Sequence, residues 1–378
     1  MNQDTIAAIA TPFGEGAIAI LRLSGPEAVA IAGTVFRGGK RTPELQPRVQ
    51  HFGRVVDGAT VLDEVLLSVF RAPASYTGEE MAEIACHGGI LVTRRILSLL
   101  LNRGARMAHP GEFTQRAFLN GKMDLTQAEA VMDLIQAQTE LALRAAAEQL
   151  EGRLGARVLE IRESLLGLLA HLEAHIDFPE EDIEPDTTAA MLERLTAART
   201  KIAILLRTAD QGRVLREGVR TVIYGEPNVG KSSLLNLLLG YERAIVHEAP
   251  GTTRDTIEET IDLRGIPLRL VDTAGVRESS DAVEREGIAR TLRHVERADL
   301  VLHLVDASRP ATVVADPDRL LVLNKTDLGE HSDWQNADGV RLSCLTGQGM
   351  DALADAIFDR VMGRGLTMAD ATVAINAR

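Results

Sequence analysis

The sequence predicts a multidomain chain: an α+β domain over residues 1–118, an α-helical bundle over 119–214 and an α/β domain with a parallel sheet over 215–365. Three changes of texture predict it. Up to about residue 118, short β-rich runs alternate with Gly/Pro turns. From there to about residue 212, Ala, Leu, Gln and Glu dominate and Gly and Pro are rare. Beyond Val219, apolar strands alternate with helices and run into polar loops, the rhythm of a parallel sheet covered by helices. A length of 378 residues accommodates two or three domains of about 100–200 residues each.

In the first region, Ile18–Leu23 (IAILRL) and Glu64–Phe70 (EVLLSVF) read as strands. Gly89–Leu101 reads as a helix, because its apolar residues recur at helical spacing. In the second, DLTQAEAVMDLIQAQTELALRAAAEQLEG (124–152) reads as a helical stretch, with Thr126 and Glu129 at capping-box spacing. Leu154–Ile176 and Met191–Ala209 extend the helical pattern, and the loop DFPEEDIEPD (177–186) between them reads as a solvated turn. Long helices of this kind predict a bundle. In the third region RTVIYG is a strand and SSLLNLLLG a helix. LRLVDTAG, DLVLHLVDA and RLLVLNKTD each carry a strand into a polar loop.

Composition excludes some functions. A formal charge of -13 argues against a protein that lives by non-specific phosphate contact. DNA is therefore not an expected partner, and any RNA contact is local or shared. Cys86 and Cys344 lack metal-ligand spacing and read as reduced thiols. No run approaches the roughly 18 apolar residues of a membrane span, and the N-terminus lacks the basic start of a leader. The expected location is the cytoplasm, without a membrane contact.

The chemistry concentrates in the third region. Gly225-Glu226-Pro227-Asn228-Val229-Gly230-Lys231-Ser232 fits GxxxxGK[ST] between a strand and a helix. Its glycines let backbone N–H groups face phosphates, helped by the helix N-terminus. Lys231 reaches the β- and γ-phosphates, and Ser232, followed by Ser233, ligates Mg2+. Asp272-Thr273-Ala274-Gly275 ends a strand at the place of a Mg2+-linked Asp and a γ-phosphate-sensing Gly. Asn324-Lys325-Thr326-Asp327 ends a later strand. The Asp327 carboxylate can accept from N1–H and N2–H2 of guanine, a donor pair that adenine lacks. Ser343-Cys344-Leu345 would close over the guanine O6. Four such motifs in this order specify GTP. Within Ala249–Asp255 (APGTTRD), one threonine completes the Mg2+ shell, with Thr253 the choice. Val276 stands where a glutamine would orient the attacking water, so another group in Val276–Gly287 must do so.

These motifs, together with DTIAAIATPFGEGAIAILRLSG (4–25), SYTGEEMAEIACHGG (75–89), HPGEFTQRAFLNGKMDLTQAEAV (109–131) and HIDFPEED (175–182), resemble the tRNA-modification GTPase family MnmE (TrmE) over nearly the whole chain. The resemblance implies a folate-binding N-terminal domain that dimerises, with Arg22, Glu83 and Lys122 at the folate contacts. It implies K+-activated GTP hydrolysis. Asn228 would ligate the K+, with backbone carbonyls from the loop His247–Thr252 (His247, Ala249 and Thr252) completing the shell. That loop also places His247 and Thr252 against the nucleotide. A cation there can do the electrostatic work of an arginine finger. Glu284 matches the family's catalytic glutamate, acting as general base beside Lys231 and Asn228. The implied task is modification of carbon 5 of the wobble uridine of tRNA. The implied helpers are a flavin-dependent partner, MnmG (GidA), in a heterotetramer or larger complex, and a tetrahydrofolate one-carbon derivative.

The family pattern continues into a returning helical segment that ends in Cys-x-Gly-Lys. Residues 366–378 resemble only its opening, so the bundle is expected to lack its completing part and to expose apolar faces within 125–209. The alternative function is a GTPase switch in ribosome assembly, similar to Era or Der. Era would need a KH domain after the G domain and Der a second P-loop, and the motifs in 1–118 have no place in either.

Overall fold

The computed structural model describes residues 4–177, 188–241, 244–245, 259–271, 294–312 and 316–363. The chain divides into two compact units, Met1–Ala128 and Glu129–Arg378.

The first unit is a seven-stranded sheet with helices on it. In chain order it contains β1 (Ile6–Ile9), β2 (Gly16–Ser24), α1 (Ala28–Val35), β3 (Phe36–Gly38), β4 (His51–Asp57), β5 (Thr60–Phe70), β6 (Met81–Gly88), α2 (Ile90–Asn102), β7 (Arg106–Met107) and α3 (Glu112–Leu119). The strand order is β3-β4-β5-β6-β2-β1-β7. All pairs are antiparallel except β1 with β7. Period-2 alternation turns Leu21, Leu23, Val65, Leu67 and Val69 to one face. There they meet Ile31 and Val35 of α1 and Ile96 and Leu100 of α2. The strands predicted at 18–23 and 64–70 are present and longer, and the helix predicted at 89–101 is shifted by one residue.

Helix α4 (Leu125–Gln136) carries the boundary between the units. Its cap differs from the expected Thr126/Glu129 pair. Asp124 Oδ1 accepts from Gln127 N at 2.9 Å, and Gln127 Oε1 accepts from Asp124 N at 2.9 Å. This is a reciprocal capping box two residues earlier. The helical stretch also breaks at 137–139. Thr139 caps α5 (Glu140–Leu150) by accepting from Ala142 N at 3.2 Å.

The second unit continues with α6 (Arg153–Asp177), α7 (Thr188–Glu217), β8 (Val219–Tyr224), α8 (Lys231–Tyr241), β9 (Ala244–Ile245), β10 (Glu259–Leu263), β11 (Ile266–Leu270), β12 (Leu300–Asp306), β13 (Leu320–Asn324), β14 (Val340–Arg341) and α9 (Met350–Met362). Its sheet runs β14-β13-β12-β8-β11-β10-β9. It is parallel from β14 to β11 and antiparallel at the β11-β10-β9 edge. Leu234 and Leu238 of α8 and Leu353 and Ile357 of α9 pack on the strands. Leu141 of α5 and Val214 and Leu215 of α7 enter the same core, so helical residues and sheet share one interior. Farther along, α6 and α7 meet through Leu154, Ile161, Ala198 and Leu205. On the same two helices Leu159, Ile176, Leu192 and Leu206 stand exposed.

Candidate functional site

The P-loop joins the end of β8 to the start of α8, where free backbone N–H groups gather at a helix N-terminus. A side chain at Gly225 would run into the Leu304 carbonyl, and one at Gly230 into the Asn324 amide. Both positions have positive φ, so glycine is required by space and by conformation. Asn228 also takes left-handed backbone, φ 62°. Its side chain has no hydrogen bond to a described residue, which leaves its amide oxygen available to a cation. Lys231 Nζ donates to the carbonyls of Gly225 at 2.9 Å and Glu226 at 2.8 Å, and burial pushes its ammonium down from the ordinary lysine value. Incoming phosphate oxygens would replace those carbonyls.

A polar bracket ties the P-loop to the Asn324–Asp327 and Ser343–Leu345 loops. Asn324, 2% exposed at the end of β13, donates through Nδ2 to Val229 O at 2.7 Å and accepts through Oδ1 from Cys344 N at 3.0 Å. Lys325, at φ 65°, donates to Asn228 O at 3.0 Å and to Asp306 Oδ2 at 2.7 Å. Asp327 Oδ1 accepts from Ser343 Oγ at 2.6 Å, and the same hydroxyl accepts from Thr346 N at 3.2 Å. This fixes the Asp327 carboxylate and leaves it lone pairs for a base edge. Burial holds the Cys344 thiol up at about 12, followed by the nearby Asp327 charge. Leu345 is exposed.

Asp306 was not singled out in the sequence. It lies opposite Asn324 in the β12–β13 register and is nearly buried. Besides Lys325 it accepts from Ser308 N at 3.1 Å and Ser308 Oγ at 2.6 Å. Burial alone would push this carboxyl up, but the bonds from Lys325 and Ser308 outweigh it and hold the group below its usual value. The sequence signal was the polar end of an apolar strand, LVLHLVD.

In the first unit, Arg22 and Glu83 face each other across β2 and β6, and Arg22 Nε donates to Glu83 Oε1 at 2.7 Å. The guanidinium lies over the rings of Tyr76, at 5.2 Å, and Phe113, at 5.7 Å. Lys122 does not touch this pair. Its Nζ donates to Pro73 O at 3.1 Å, and its stem lies beside Gly78, so it flanks the loop that carries Tyr76. That loop is anchored by a network of buried charge. Arg116, 2% exposed, bonds Glu79, Glu112 and Asp4, and Ser24 bonds Glu79 and Thr77. Two aromatic rings, a cation and a carboxylate in one half-buried cluster suit a flat heterocycle bearing an acidic tail.

The family profile described as "GTP-binding protein TrmE N-terminus" matches residues 5–122, and that described as "MnmE helical domain" matches residues 125–378. Curated relatives named tRNA modification GTPase MnmE match throughout. The one from Akkermansia muciniphila is 55% identical, covering 100% of this chain and 85% of its own. That from Geobacillus kaustophilus is 48% identical over 99% of this chain and 86% of its own. That from Bacillus subtilis is 47% identical over 100% and 86%. This chain belongs to the MnmE family.

Within this MnmE-family chain the structure brings together Asn228, Val229, Gly230, Lys231, Asn324, Lys325, Asp327, Ser343 and Cys344, while Ser232 and Ser233 open α8 beside them. His247, Ala249, Thr252, Thr253, Asp272, Thr273, Ala274, Gly275 and Glu284 lie outside the described residues, as do residues 366–378. No described helix is long and apolar enough to cross a membrane.

Proposed function

We propose that this chain is a K+-activated GTP hydrolase that works with a flavin-dependent partner, MnmG (GidA). Together they modify carbon 5 of the wobble uridine of tRNA, using a folate-borne one-carbon unit. Membership of the MnmE family makes it a GTPase of tRNA modification. The observation that carries the reading at the site is the Asn324 bracket, which holds the phosphate loop and the Asp327 base reader as one piece.

The roles follow from the chemistry. Asp327 selects guanine, and Lys231 and the P-loop N–H groups hold the phosphates. Ser232 with Thr253 would hold Mg2+, and Asp272 would orient it. The unengaged amide of Asn228, with carbonyls of His247, Ala249 and Thr252, would hold K+, which supplies positive charge against the transferring phosphoryl group. Glu284 takes the proton of the attacking water. In the N-terminal unit, Arg22 and Lys122 would meet the acidic tail of a tetrahydrofolate derivative, and Glu83 its pterin. Two copies would pair through that unit.

The test is reconstitution. The chain is mixed with the flavin-dependent partner, tRNA, a one-carbon folate, glycine, GTP and K+, and wobble uridine is read by mass spectrometry. A mass gain at that uridine is the expected result. No gain, under conditions where a relative modifies the same tRNA, refutes the proposal. Equal GTP turnover in Na+ and K+ refutes the K+ assignment separately.

A further inference from the structure

Helix α2 buries Thr93, Ile96, Leu97, Leu99 and Leu100 and turns Arg94, Arg95, Ser98 and Asn102 outward at helical spacing. Arg103 follows at its C-terminal end. These residues, with Asp57 at the end of β4, line an open depression of about 400 Å³. Three guanidinium groups therefore meet one carboxylate. In this unit Arg22, Arg54, Arg71, Arg106 and Arg116 are ion-paired, and Arg37 and Arg48 donate to backbone carbonyls. Among the described residues no carboxylate lies within salt-bridge distance of Arg94, Arg95 or Arg103. Arg94 instead lies 4.9 Å over the ring of Phe13, which is itself exposed. The helix dipole accounts for a cation at Arg103, but not for Arg94 and Arg95 in mid-helix. A chain with 54 acidic and 41 basic residues has carboxylates in excess, yet leaves this depression cationic.

We propose that the exposed face of α2 is a contact surface for RNA phosphates. Arg94, Arg95 and Arg103 take consecutive phosphodiester oxygens as two-pronged donors. Asn102 and Ser98 add neutral hydrogen bonds, and the Phe13 ring beside Arg94 offers a stacking face to an unpaired base. Charge complementarity selects a polyanion, and the exposed aromatic beside the cations selects nucleic acid over a bare anionic surface. The contact fixes register and not sequence. It also makes a local basic site compatible with a net acidic chain. This inference rests on the reading of tRNA as the substrate.

The test uses the full chain, with labelled tRNA followed by fluorescence anisotropy over a salt series. Each phosphate contact adds about 0.7–0.9 to the slope of log affinity against log salt. The triple variant Arg94→Ala/Arg95→Ala/Arg103→Ala is expected to lose about 2–3 from that slope and to bind at least about tenfold more weakly near 0.1 M salt. The corresponding Arg→Lys variant keeps most of the slope, because charge is retained. GTP hydrolysis without tRNA is unchanged in both, and circular dichroism confirms folding. A parental chain that does not bind tRNA, or a triple Ala variant with unchanged slope and affinity, overturns the inference. Unchanged tRNA binding with lost binding to anionic phospholipid vesicles also overturns it, and gives the patch to a membrane surface. The two readings fail separately: wobble-uridine modification is scored on the parental chain, and the salt slope on the comparison of variants.

Discussion

Among the described residues, Asn324 is the side chain that bonds both the P-loop and the Ser343–Leu345 loop, and alanine there removes both bonds. Two backbone groups lose their partners, the Val229 carbonyl and the Cys344 N–H. A buried polar group left unpaired costs about 1–3 kcal/mol. Two such groups give about 2–6 kcal/mol, and the half-buried Cys344 side can recover water, so about 2–4 kcal/mol is expected. Trp334 makes the measurement specific. It is the sole tryptophan, lies 4% exposed in the second unit and donates to Arg309 O at 2.9 Å. Its fluorescence in a urea titration therefore reports unfolding of the unit that holds the nucleotide site. GDP affinity should fall at least about tenfold, since about 1.4 kcal/mol of lost preorganisation suffices for that. A Trp334 transition within about 0.5 kcal/mol of the parent, with unchanged GDP affinity, would refute the bracket.

Asp327→Asn exchanges an acceptor for an amide that can donate, and is expected to move base preference from guanine toward xanthine, which has a carbonyl where guanine has an amine. Competition of XTP and GTP for the site measures this, and retained guanine preference counts against the assignment. Asp306→Asn keeps the shape but removes the charge facing Lys325, and is expected to weaken GDP binding by about 1–2 kcal/mol. Because the Asp306 carboxyl is held low, its stabilising effect is present above the ordinary carboxylate range and fades as pH falls through it. Acid titration of Trp334 fluorescence should show that loss in the parent and not in the variant. In the N-terminal unit, the Arg106 bonds, against burial and aided by His109 N–H, hold the Glu112 carboxyl down at about 2 from 4.5. At about 1.4 kcal/mol per pH unit, and discounted because Arg106 is partly exposed, the pair contributes about 2 kcal/mol. That stability is complete above about pH 4.5 and lost as pH falls toward 2. Glu112→Gln should remove the slope across that window in circular-dichroism melts, and an unchanged slope would show that the pairing does not stabilise the fold.

The P-loop and NKTD motifs were legible because their chemistry is contiguous: Gly225, Gly230, Lys231, Asn324 and Asp327 carry their meaning in spacing alone. Asp306 was not, because its role comes from lying opposite Asn324 across two strands, a register no local window contains. The helix break at 137–139 escaped notice because it uses neither Gly nor Pro. Thr139 makes it by capping α5 and by donating to Gly265 O at 2.7 Å, a partner far away in sequence. The sequence points to Thr126/Glu129 and the structure uses Asp124/Gln127, because two overlapping tetrads both fit the box and only geometry chooses between them. Arg22 and Glu83 were singled out by the family resemblance alone, because nothing local in the sequence pairs them; the β2–β6 register does, with Arg22 over Tyr76 and Phe113.

The Thr139–Gly265 bond has a mechanical consequence. In chain order, β10 comes after the segment bearing Thr252 and Thr253, and β11 comes before Asp272. Their hairpin has its open end at the Glu259–Leu270 pair and its turn, at Arg264 and Gly265, pinned against α5 by Thr139 and by Leu141, against which Gly265 is packed. Five paired residues make a strut of roughly 17 Å, stiff along its length and anchored at the far end. A displacement at its Glu259/Leu270 end would be carried along that strut to the first turn of α5.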